Sequence, residues 1–441
     1  MDSALLLLLL AANIVVPVVT TYATCVSDGL EINHIAVFTF GYLYYWILPI
    51  TIGAFDIFRS NVALKPFYDL FDQVRPSSLY SYLTISLCCY LFFLFGHLST
   101  RRLHCRVVER YASLRFDRRL LVLYLLLGTT ICTLLAYQLR DQLFQGYMVL
   151  EEVWHDPLRG TYAGASYFLV CVALIYTVNL EAGLKHTVAF WRLVANLYML
   201  VAFLALVINL SLGQRSYILA AVIMLVIYRS VFVRHLRAYT TLLLFAVGVG
   251  AAGAFALVRQ HSNSSLLAII CAEPLFNSIS LLYFLRELTL PILRLPTLLL
   301  GDLLFLVPTV LLPNKLELIP SVTEAGIPLF NPLGAEHSFL SFVANFGVVG
   351  SLGAFFFLGF GVNLIRSGGR VPLLKVIYVM LSAQLAFTIW RDDFAYSIVK
   401  NMLEGAVAIP IFIFASLNLL TGLLRRRPRG IWANRLRNRV G

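Results

Sequence analysis

Glu336 and His337 stand side by side in "AEHSFLSFVANFGVVG", directly ahead of a long apolar run that opens at Ser338. An imidazole with a carboxylate beside it can take a proton from a sugar hydroxyl near neutral pH. The plainer alternative is an acid favoured by the positive end of a helix, next to an interface histidine. Ser338 has no GxSxG elbow around it, so the sequence gives it no role as a nucleophile.

Three arginines sit at the ends of apolar runs rather than in open loops. They are Arg215 in "SLGQRSYIL", Arg259 (with His261) in "ALVRQHSNSS", and Arg391 (with Asp392 and Asp393) in "FTIWRDDFAYS". An arginine near hydrocarbon is costly and normally has a partner or a function. The planar guanidinium fork matches phosphate oxygens bidentately, so three at one depth would suit a lipid-linked pyrophosphate. The alternative is snorkelling with structural pairing, for example Arg391 with Asp392 or Glu404. Glu151, Glu152 and Asp156 in "LEEVWHDPLRG" read as a solvated loop face, or as a rim that holds sugar hydroxyls.

Metal chemistry has no signature. There is no DxD, no HExxH and no carboxylate cluster at ligand spacing, and the adjacent Asp392 and Asp393 would point to different faces of a helix. The cysteines at 25, 88, 89, 105, 132, 171 and 271 form no CxxC and no Cys/His ligand spacing. The sequence therefore predicts no metal and no cofactor, with arginine supplying any stabilisation of a leaving group.

The elements that must carry these residues are membrane helices. Of the 441 residues 60% are hydrophobic and only 13% charged, about half the charged share of an ordinary soluble protein. Apolar segments near 3–25, 34–57, 79–98, 120–138, 163–180, 192–211, 216–233, 239–258, 338–365, 373–390 and 397–423 predict about eleven spans, all helical. The 266–288 piece, broken by Glu273-Pro274, Arg286 and Glu287, reads as interfacial or loop helix, as does the proline-rich 295–313 piece. If both crossed, the count would be thirteen. The first run follows Asp2 and lacks a basic n-region, so it reads as a retained span rather than a signal peptide.

Arginine placement sets the orientation. The 99–119 and 366–375 loops and the 425–441 tail are basic, which puts them and the carboxyl end in the cytoplasm. This distribution accounts for the net charge of +12 through topology and anionic lipid, so no nucleic-acid partner is predicted. The chain reads as one integral membrane domain, 1–441. Loops 139–162 and 259–337 face out, and the second is long enough to imply a working, ordered cover.

In layout the chain resembles the Wzy-type oligosaccharide repeat-unit polymerases, also called O-antigen polymerases. Gly213-Gln214-Arg215 is similar to that family's short Gly-x-Arg turn, Pro308 to Pro313 to its proline-flanked periplasmic segment, and Arg391-Asp392 to the turn before its last span. His337, Ser338, Leu340, Gly347 and Gly350 match in order an element of the related O-antigen ligases, with Ser338 where ligases favour Asn and Asn345-Phe346-Gly347 where they have Glu-Leu-Gly.

The resemblance implies a GT-C-like fold in the bacterial inner membrane, with its active face periplasmic. It implies en bloc transfer of an undecaprenyl-pyrophosphate-linked glycan to the sugar of a second lipid-linked repeat unit, as in O-antigen or other surface polysaccharide synthesis. Arg215, Arg259 and Arg391 would hold the pyrophosphates. His337, oriented by Glu336, would deprotonate the acceptor hydroxyl. A flippase and a chain-length regulator would be the protein partners. An O-antigen ligase and a flippase or secondary transporter are the competing readings. Against transport, the sequence shows no half-to-half similarity, and its charges gather at one face rather than at the midplane.

Overall fold

The computed structural model describes residues 3–29, 32–100, 118–143, 157–183, 196–212, 215–233, 266–287, 290–307, 311–312, 314–318, 330, 336–369, 371–391 and 394–425. Every regular element among them is helical. Among the described residues, eight helices are long and apolar enough to cross a membrane: Ala4–Ser27, His34–Ala54, Pro76–Thr100, Arg119–Gln138, Leu158–Leu180, Ser338–Ser367, Pro372–Arg391 and Ser397–Gly422. The chain is a multi-pass membrane protein. Two more expected spans appear as the shorter apolar helices Leu197–Ser211 and Tyr217–Val233. The expected 239–258 span lies outside the described residues, as do most of the basic 99–119 loop and all but the first residue of the 425–441 tail.

The tightest helix pair is made by glycine. A side chain on Gly96 would run into the carbonyl of Phe356, and one on Gly359 into the carbonyl of Phe93. Small residues let membrane helices bring their backbones together where no hydrophobic drive assists. Phe38 and Phe93 stack beside this seam with centroids 3.6 Å apart.

The 266–287 segment, read from the sequence as an interfacial or loop helix, is not among the span-length apolar helices. It is one continuous helix, Leu266–Glu287, with Pro274 inside it. It packs along the carboxyl-terminal half of the 34–54 run and against the short helix Lys65–Phe71. Proline removes the amide that would bond the carbonyl four residues earlier, here Ile270. The hydroxyl of Tyr44 donates to that carbonyl at 2.5 Å, which is why the helix survives its proline. Tyr44 lies in a π-helical turn, Tyr42–Ile47. Consecutive α-helical residues face different ways; in this turn Tyr44 and Tyr45 both reach the 266–287 helix.

The 338–367 segment is also not the single straight span its apolar run suggests. Gly347 has φ 68 and ψ −177, which breaks it into two helices. The twenty residues of 348–367 rise about 30 Å and suffice to cross a bilayer alone. The 338–346 helix folds back along them, so that Phe342 and Phe355 pack with ring centroids 4.7 Å apart. An extended piece of chain around 291–294 fills the break. Val348 and Val349 donate their amides to the carbonyls of Pro291 and Ile292, at 2.9 and 3.0 Å. Arg294 donates its amide to the carbonyl of Phe346 at 3.2 Å. Broken helix ends leave orphan amides and carbonyls, and here the loop satisfies both ends.

Candidate functional site

One face of the 266–287 helix organises the polar groups of the bundle. Glu273, Asn277 and Ser280 follow one another at the spacing that keeps side chains on a single face. Glu273 forms an ion pair with Arg391, Nη1 to Oε1 3.0 Å, and accepts from the Tyr45 hydroxyl at 3.1 Å. Asn277 donates to the carbonyl of Trp390 at 3.1 Å. Ser280 Oγ accepts from the amide of His337 at 3.0 Å. The arginine, the tryptophan before it and the histidine of the loop end are therefore tied to one rod.

His337 caps the 338–346 helix. Its Nδ1 accepts from the amide of Phe339 at 3.3 Å, so in the neutral ring Nε2 carries the proton. The imidazole stacks against Trp46 at 5.8 Å and meets Tyr82 edge-on at 6.1 Å. It is fully buried, and burial pushes its pKa down to about 3; the nearby backbone of Tyr45 acts weakly the other way. Glu336 is 7% exposed and accepts from Ser341 Oγ at 2.6 Å. Ser338 Oγ accepts from the indole Nε1 of Trp46 at 3.3 Å, a structural use that fits its lack of an elbow. The pair at the loop end is thus sealed under Trp46.

The Arg391–Glu273 pair is accessible by contrast, with side-chain exposures of 24% and 32%. Its partner Tyr45 stands eleven residues from His34 and nine from Ala54, midway along that run. Arg391 itself closes the span-length helix Pro372–Arg391.

No protein-family model, curated protein or solved structure matches the chain.

Of the predicted site residues, the structure ties His337 and Arg391 to one face of the 266–287 helix, while Glu336, next to His337, is bonded by Ser341. Arg215 opens the helix Arg215–Ile227, with Gly213 and Gln214 outside the described residues. Arg259, His261, Glu151, Glu152, Asp156, Asp392, Asp393, Pro308 and Pro313 also lie outside them. Among the described residues, no three His, Cys, Asp or Glu side chains converge. Sequence reasoning missed Glu273 as the partner of Arg391, having read it only as an interruption. The available signal was its spacing to Asn277 and Ser280. It also missed a buried group at the other end of the bundle. There His97 Nδ1 and His34 Nε2 lie 3.0 Å apart, and His34 Nδ1 lies 3.0 Å from the Tyr378 hydroxyl. Arg366 and Asp28 pair nearby at 2.6 Å.

Proposed function

We propose that the chain is a GT-C-like membrane glycosyltransferase of the outer face of the inner membrane, polymerising lipid-linked oligosaccharide repeat units. The observation that carries this reading is the accessible Arg391 guanidinium, joined through Glu273, Asn277 and Ser280 to the amide of His337. A phosphate-type cation and a sealed acid–histidine pair on one rigid element suit a reaction with a pyrophosphate leaving group and a hydroxyl nucleophile. The ligase-like pattern lends further support, since its Gly347 is the residue whose positive φ makes the break.

In this reaction the acceptor hydroxyl oxygen bonds to the anomeric carbon of the donor. The bond from that carbon to the pyrophosphate oxygen breaks, and its electron pair leaves with undecaprenyl pyrophosphate. Arg391 holds the departing charge, with Arg215 and Arg259 as further pyrophosphate ligands. The Glu336–His337 pair takes the hydroxyl proton; for the imidazole to accept it, Nδ1 must give up the amide of Phe339, because Nε2 already carries a proton. No divalent ion takes part. Removing a positioned base costs about 10²–10⁴-fold in rate, so His337→Ala should fall by that factor. Near-wild-type polymerisation by that protein would remove histidine from the role, and strict dependence on a divalent ion would sink the arginine mechanism.

A second reading, transport of the lipid-linked glycan, is favoured by one specific observation. Glu273 stands directly before the proline of its own helix and is bonded by Tyr45, from the π-helical turn midway along the 34–54 run. Interrupted helices around a mid-depth charge are the transporter pattern. The two readings differ in product: one joins glycans, the other only moves them between leaflets.

A further inference from the structure

We propose that Glu273 is a displaceable internal counter-ion that decides which anions can occupy Arg391, admitting a multiply charged pyrophosphate and keeping out the phosphodiester head groups of ordinary lipids. The inference rests on the reading that Arg391 receives a phosphate group. A bare guanidinium facing a bilayer meets phosphodiesters at very high local concentration, and bidentate pairing with them is favourable. In the resting protein the guanidinium is already engaged by Glu273 at 3.0 Å. A ligand that takes Nη1 must first displace that carboxylate.

The geometry provides for the exchange. Both partners are partly accessible, at 24% and 32%, so an anion can approach without unfolding the bundle. Glu273 has a second partner, the Tyr45 hydroxyl at 3.1 Å, which still holds the carboxylate after Arg391 is lost. It sits directly before Pro274, where the helix lacks one backbone hydrogen bond and Tyr44 supplies the substitute. That is the place in the helix where the backbone yields most readily. The displacement penalty is the same for every ligand, because apparent affinity falls by the fraction of molecules with a free guanidinium. A uniform penalty empties the site of weak ligands and merely weakens strong ones. Glu273 also offsets the charge of Arg391 while no ligand is present, which an arginine at the end of a membrane helix favours.

The test uses the full-length protein in nanodiscs, with inorganic pyrophosphate as probe and tryptophan fluorescence as readout, since Trp390 adjoins Arg391. Glu273→Gln keeps the shape and the acceptor for Tyr45 but drops the charge. In neutral phosphatidylcholine it should bind pyrophosphate about 3- to 10-fold more tightly than wild type, as expected for release of a partly exposed ion pair. As phosphatidylglycerol is added, the ratio of the two affinities should fall towards one, because head groups now compete for the uncovered arginine. Surface potential acts on both proteins alike and cancels in the ratio. Tyr45→Phe removes the hydroxyl that holds the displaced carboxylate, so it should weaken pyrophosphate binding relative to wild type. A ratio at or below one in neutral lipid overturns the proposal, as does a ratio insensitive to phosphatidylglycerol. Binding retained by Arg391→Gln, or no binding by wild type and Glu273→Gln alike, overturns it too. Exchange that behaves as described in a protein that joins no glycans would count against the polymerase reading alone.

Discussion

The rings of Phe342 and Phe355 lie 4.7 Å apart, although a straight helix would separate residues thirteen apart by about 20 Å. Trp46 touches both arms of the fold, meeting Phe339 at 5.5 Å and Phe355 at 5.7 Å. His337 begins one arm and the membrane-crossing 348–367 helix forms the other. The break between them therefore decides where the histidine sits.

Gly347→Ala tests that break. A φ of 68 with ψ −177 is a glycine-only conformation that costs an alanine about 1–3 kcal/mol, and its Cβ would lie 2.6 Å from the Cα of Leu293 in the inserted loop. The variant should lower the apparent unfolding temperature and open the 290–296 segment to protease. Gly353→Ala, in open space on the same helix, should do neither. Equal behaviour of the two would refute the account of the break.

Tyr44 and Pro274 form a second testable pair. Tyr44→Phe strands the Ile270 carbonyl, a loss of about 1–3 kcal/mol when the group is buried. Pro274→Ala restores the backbone amide for that carbonyl. Tyr44→Phe should thus cost clearly less in the Pro274→Ala background, by a double-mutant cycle on thermal or denaturant unfolding. Additive effects would mean that the hydroxyl does not substitute for the missing amide.

The burial of His337 gives the protein an acid sensitivity. Its folded value is about 3, against about 6.5 in an unfolded chain. Above 6.5 the imidazole is neutral in both states and this part of the stability is intact. As pH falls through 6.5 towards 3, the unfolded chain takes up the proton first and stability is lost, by about 2 kcal/mol at pH 5. Asn caps helices well and does not titrate, so His337→Asn should lose less unfolding temperature between pH 7.5 and 5 than wild type. An equal loss would show that the imidazole is not the sensitive group.

Much of the fold was legible because hydrocarbon leaves the chain few choices: apolar runs of span length must be helical. What the sequence hid was the behaviour of single residues inside such runs. Gly347 sits in an unbroken apolar stretch, and nothing in "ANFGVVG" distinguishes a reversal from a small packing residue. Pro274 and Glu273 looked disruptive because their compensations, Tyr44, Tyr45 and Arg391, are remote in the chain. At the site, Glu336, His337 and Arg391 were visible as costly residues near membrane helices. Their connection through Asn277 and Ser280 was not, since polar residues become a seam only when other helices cover them.

The most direct measurement of the central claim is the product made by purified protein in liposomes from a single lipid-linked repeat unit, with EDTA present. The account predicts a ladder of joined glycans on undecaprenyl pyrophosphate, with the ladder lost in Arg391→Gln. Units that cross the bilayer yet stay single would contradict it.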